Sequence, residues 1–128
     1  MKKIWIILII AVVLAVGLLF LRGSEDSWIK DDKGIYIKHG NPAETPSYVI
    51  EQQDAIDCAN GLYLQKKAEG IELNSECLGT CGNYAVDVVH IPRNADDNFI
   101  DNQCADFGEG KVEHFIELDK DGEIVRIV

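Results

Sequence analysis

None of the short signatures that carry familiar chemistry occurs in this sequence. There is no G-x-S-x-G nucleophile elbow, no H-E-x-x-H helix and no phosphate-cradling glycine loop. The common hydrolase, zinc-protease and nucleotide-binding patterns are therefore excluded. No internal repeat, low-complexity tract or N-x-S/T acceptor is present. Basic residues are scarce, with 12 Lys and Arg against 22 Asp and Glu, and His and Pro number 3 each. A chain of this sign repels nucleic acid and anionic headgroups, and favours cations or basic partners.

What is present begins with a long apolar run. Ile4 to Leu21 contains no charged or strongly polar side chain. As a helix rising about 1.5 Å per residue it reaches most of the way across a hydrocarbon core of about 30 Å, and Trp5 suits one interface. A cleaved signal peptide has a shorter apolar region, about 7–15 residues, ending in a small-x-small site. Here Ala15 and Gly17 lie too deep in the run, and no Cys follows it for lipid attachment. Residues 1–22 therefore read as an uncleaved signal anchor, with secretion as the outcome if the leader is cut. Lys2 and Lys3 precede the span, so the positive-inside bias leaves the N-terminus cytoplasmic.

Residues 23–128 then form one extracytoplasmic domain, large enough for a single core. Setting aside Lys2, Lys3 and Arg22 leaves nine basic residues against all twenty-two acidic ones, a net charge of −13. All four cysteines, Cys58, Cys77, Cys81 and Cys104, fall in this domain. In an oxidising compartment an even count becomes bridges. Their gaps give one close pair and two distant singles, unlike paired zinc knuckles, and "CLGTC" is C-x-x-x-C without the helix a thioredoxin-like centre needs. Three pairings are open. The preferred one bonds Cys58 and Cys104 each to one member of the Cys77/Cys81 pair.

The pattern of elements predicts an α+β fold, with one main helix packed on an antiparallel sheet of about five strands. "SWIKDDKGIYIKHG" and "KVEHFIELDKDGEIVRIV" read as hairpins turning at Asp31-Asp32-Lys33-Gly34 and Asp119-Lys120-Asp121-Gly122. The main helix is expected from Pro46 to about Glu69, burying Tyr48, Val49, Ala55, Ile56, Ala59, Leu62 and Tyr63, with Cys58 at the flank. Asn60-Gly61 is its weak point. Residues 77–81 are expected as a loop, Asn83 to Ile91 as a strand, and the stretch from Asn94 to Gly108 as a short helix capped by Asn94.

Three histidines are the candidate polar site. His90 and His114 each interrupt the apolar face of an expected strand, and antiparallel pairing would bring them together, with His39 nearby. Such a trio would bind a metal, and a His beside Asp87 or Asp57 would serve as a general base. Calcium is disfavoured, because placing Gly122 at position six of a binding loop puts Val128 where a Glu is required. No catalytic residue, cofactor or metal is assigned. The leading expectation is a non-enzymatic, membrane-tethered binding or accessory module with an envelope protein partner. Alternatives are a thiol-disulfide protein using Cys77 and Cys81, with Gly79 and Gly82 easing movement, and a His-based metal-binding domain.

Overall fold

The computed structural model describes residues 1–23 and 26–128. The apolar run lies within α1 (Lys2–Gly23), a helix long and apolar enough to cross a membrane. Its Lys2–Leu19 window buries nothing against the rest of the chain.

A hairpin of β1 (Ser27–Lys30) and β2 (Tyr36–His39) follows as a separate two-stranded sheet. Then come α2 (Ser47–Ala68), β3 (Glu76–Cys81), β4 (Tyr84–Val88), a crossover, β5 (His114–Leu118) and β6 (Ile124–Ile127). The crossover holds two 3-10 turns, Ala95–Asn98 and Ile100–Asn102, and one turn of helix, α3 (Ala105–Gly108). The two hairpins turn by the same chemistry. Asp31 Oδ1 accepts from the Lys33 and Ile35 amides, and Asp119 Oδ1 accepts from those of Asp121 and Glu123. An aspartate opening the turn and a glycine at positive φ closing it are what a tight reversal needs.

The expected α+β class holds, but the sheet is mixed rather than antiparallel. Its order is β3-β4-β5-β6, and β4 pairs with β5 in parallel, Tyr84 opposite His114 and Val88 opposite Leu118. The crossover between them exceeds the dozen residues that a parallel connection requires, whereas a tight turn would have forced antiparallel pairing.

Two further expectations are corrected. Residues 77–81 form a strand, not a loop, pairing with β4 over Glu76↔Val88 to Cys81↔Tyr84. The stretch after Asn94 does not form one helix. Asn94 and Asp97 do make a capping box. However, the Asp96 carbonyl that a helix would offer to residue 100 instead accepts from Phe99 at 3.2 Å and from the Asn102 amide at 2.8 Å. Local side-chain bonds of this kind compete with helix propagation.

Residues four apart on a regular strand share a face. Between Cys77 and Gly79 the register slips, so that Cys77 opposes Asp87 while Gly79 opposes Val86. The bulge turns Cys81 toward α2 and leaves Cys77 on the opposite face. Gly79 sits at φ 145°, where a side chain would be strained and would press on Leu62. The resulting bridges are Cys58–Cys81 and Cys77–Cys104, one on each face of the sheet.

Two layers cover that sheet. Ala55, Ala59 and Tyr63 of α2 pack on Val86, Val88, Ile116 and Leu118, the last two fully buried. On the other face, Cys104 and Val112 of the crossover pack with Ala85, Cys77 and Phe115. Burying each large aliphatic side chain stabilises the fold by about 1.5–3 kcal/mol. The expected weak point at Asn60-Gly61 is continuous helix. Tyr48 is exposed, and the polar Gln52 is buried in the helix face instead. Gln52 accepts from the Tyr36 amide at 2.8 Å and donates to the Gly34 carbonyl at 2.9 Å, docking the first hairpin onto α2.

Candidate functional site

The parallel pair β4 and β5 opens at its C-terminal end. The Val89 amide donates to the Leu118 carbonyl at 2.8 Å, the last tie between them. Beyond it the chain from β4 turns onto the outer face while the chain from β5 reverses tightly into β6. Diverging connections leave a crevice at the carboxyl ends of strands, the position where open α/β sheets bind ligands. Here the crevice is a cleft of about 530 Å³ lined by residues 72–74, 89–91 and 119–121.

His90 is the best-positioned polar group in that cleft. Its Nδ1 lies 2.9 Å from Asp97 Oδ1, which also accepts from the His90 amide at 3.1 Å, and Asp97 Oδ2 accepts from the Asn94 amide at 2.9 Å. The Asp97 side chain is fully buried. Burial alone would raise its pKa, but the donors from Asn94 and His90 outweigh it and hold the carboxyl at about 2. In the tautomer that turns Nδ1–H toward the ionised Asp97, the ring nitrogen carrying the lone pair is Nε2. The His90 side chain is 32% exposed.

A second cluster lies on the same outer face, under the crossover. Glu117, 4% exposed, receives Arg93 Nη1 at 2.8 Å and Arg126 through Nη2 at 3.0 Å and Nε at 3.2 Å. Asp87 stands beside Glu117 in the parallel register, and its buried Oδ1 has no hydrogen-bond partner among the described residues. Burial pushes the Asp87 carboxyl up, the Glu117 charge adds to this, and Arg93 and Arg126 pull back, leaving it at about 7. A cavity of about 160 Å³ separates this cluster from Phe107 and Gln103.

The expected histidine trio is not assembled. Parallel pairing sets His114 opposite Tyr84, where the rings stack at 4.8 Å, while His90 lies six residues further along the chain. At about 3.3 Å per residue that is roughly 20 Å away. His39 pairs with Ser27 on the separate hairpin and is exposed. Among the described residues no group of three His, Cys, Asp or Glu is placed to hold a metal ion. His90 does have a carboxylate partner, but it is Asp97 rather than Asp87 or Asp57. Cys77 and Cys81 belong to separate bridges on opposite faces, so they do not form the redox pair considered above. The signal for Asp97 was the N-x-x-D spacing of Asn94 and Asp97. Arg93, Glu117 and Arg126 carried no local signal, because parallel register and a crossover bring them together.

These elements define a small disulfide-stapled α+β domain behind an apolar helix, with one cleft at the end of a parallel strand pair. Compared with protein-family models, curated proteins and solved structures, the chain matches none.

Proposed function

We propose that this chain is a membrane-tethered extracytoplasmic module that acts by binding, as an accessory component of the cell envelope. Residues 1–22 serve as the signal anchor and residues 23–128 as the binding domain. The carrying observation is the pairing of all four cysteines behind an exposed apolar helix. Thiols pair in this way where the compartment is oxidising, and an uncovered apolar helix needs lipid. Binding is favoured over catalysis because the sequence carries none of the motifs of the common hydrolases, zinc proteases or nucleotide-binding enzymes.

Fusing the C-terminus to alkaline phosphatase and, separately, to green fluorescent protein tests the orientation. The expected result is an active phosphatase and a dark fluorescent protein, with no free sulfhydryl in the purified native chain. A fluorescent fusion, or four titratable thiols, would overturn the proposal.

A further inference from the structure

We propose that the cleft at the end of β4 and β5 recognises an organic cation, an ammonium or guanidinium group carried on an apolar stem. This deepens the reading of the domain as a binding module and rests on it. Four features of the cleft select that chemistry.

The first is the direction of the hydrogen bond His90 offers. With Nδ1 turned to the buried Asp97 at 2.9 Å, the free position on the ring is Nε2, which is an acceptor in the tautomer that places the proton on Nδ1. The second is charge. Glu72, Asp119 and Asp121 line the cleft with Lys120 as the one cation among the lining residues. In a domain whose net charge is −13 this disfavours phosphate, carboxylate or sulfate. The third is an apolar wall. Leu73 and Val89 are buried at the cleft, and Ile91 stands 64% exposed beside them. A stem of several methylenes would cover Ile91 and gain the stabilisation of apolar burial.

The fourth is size and place. A volume of about 530 Å³ suits a small molecule or one inserted side chain rather than a single ion. Since no three ligating side chains converge among the described residues, a bare metal ion lacks its coordination sphere. The stem also has a defined way out, because the cleft opens where the two parallel strands part.

The same headgroup is found on a free alkylamine and on a Lys or Arg side chain of a partner, and two arms of one experiment separate these sources. Full-length protein in non-ionic detergent micelles, labelled with ¹⁵N, is titrated with n-pentylamine in one arm. In the other it is titrated with a blocked Gly-Leu-Lys-Gly peptide. n-Pentanol and the norleucine peptide are the uncharged controls. The expected result is saturable shifts on the backbone amides of residues 72–74, 89–91 and 119–121, with binding in the roughly millimolar range for one headgroup. Tighter binding of the peptide assigns the site to a partner's side chain, and tighter binding of the amine assigns it to a small molecule.

His90→Phe should weaken binding about tenfold, by removing the acceptor. Because this change also disturbs Asp97, the surface pair Glu72→Gln and Asp121→Asn is tested beside it. These rim changes should weaken binding several-fold while leaving shifts outside the cleft unchanged. Uncharged controls that bind as well, shifts that map elsewhere, or no saturation by about 20 mM would each overturn the proposal. Failure here is distinct from failure of the tethered-module reading, which is decided by the reporter fusions and the thiol count.

Discussion

Replacing Asp87 by Asn is expected to stabilise the protein at neutral and alkaline pH, although the change removes a carboxylate from beside two arginines. Both guanidinium groups are already engaged by Glu117. Asp87 is left half-buried next to that charge, with an unpartnered Oδ1 and a pKa near 7 instead of the ordinary 3.8. A carboxyl whose folded pKa lies above its unfolded value holds its proton more tightly in the folded state. Its contribution to stability is full below about pH 4 and is lost as pH rises through about 7. The interval of about three pKa units, at 1.36 kcal/mol per unit, corresponds to about 4 kcal/mol.

Asparagine has the shape of the protonated acid and never ionises, so the variant is free of this loss. Urea unfolding of the full chain in non-ionic detergent, followed by Trp28 fluorescence in a Trp5→Phe background, measures the difference directly. The stability gap between D87N and its parent should be near zero at pH 4, widen with pH, and reach about 4 kcal/mol by pH 8. A gap that does not change across that range would refute the argument, because it would mean that Asp87 ionises alike in the folded and unfolded chain.

Asp97 gives the opposite pH dependence. Its folded pKa of about 2 lies below the ordinary 3.8, so its stabilisation is present above about pH 4 and lost as pH falls through 2. Asp97→Asn should therefore cost about 2 kcal/mol at pH 7 and flatten the acid limb of the same urea series. The paired substitution Cys77→Ala with Cys104→Ala opens a loop of sequence separation 27 and should lower stability by about 3 kcal/mol, seen as a fall in Tm of about 15 °C. Gly122→Ala should destabilise by about 2 kcal/mol in denaturant titration, since φ there is +84° and a new Cβ would lie 2.6 Å from the Tyr63 ring. A G122A protein as stable as its parent would show that the second hairpin turn does not pack against α2 as described.

Turn chemistry and helix period were legible in the sequence, whereas long-range register and the local side-chain bonds that break the stretch after Asn94 were not. Both hairpins were readable because Asp31–Gly34 and Asp119–Gly122 carry their turn instructions within four residues. The main helix was readable from its period and stop signals, and α2 ends at Ala68 just before Glu69 and Gly70. What failed was each inference needing to know which strand lay beside which. Antiparallel and parallel pairing place the same alternating residues in the same layer, so the pattern of Tyr84, Val86 and Val88 against Ile116 and Leu118 is silent on direction. The meeting of His90 and His114 rested on direction and dissolved with it, and His39 belongs to a separate hairpin. Gln52 was missed for a different reason. A glutamine in a helix face reads as exposed, and only the unpaired backbone groups of a docked hairpin explain its burial.

The four cysteines connect these failures to the site. A spacing of four residues predicts that Cys77 and Cys81 face the same side of any strand. One inserted residue at the bulge sends them to opposite sides, and the sheet is then stapled above and below. The consequence falls on the cleft. Residues 72–74 lie inside the loop closed by Cys58–Cys81, and residues 89–91 lie inside the loop closed by Cys77–Cys104. The third wall, 119–121, is held by the Tyr63 hydroxyl donating to the Lys120 carbonyl at 3.0 Å. Each wall of the cleft is thus fixed by its own tie, two covalent and one hydrogen-bonded, and two of the three ties start from α2. The same bridges staple each covering layer to the sheet, Cys58–Cys81 tying α2 to one face and Cys77–Cys104 tying the crossover to the other.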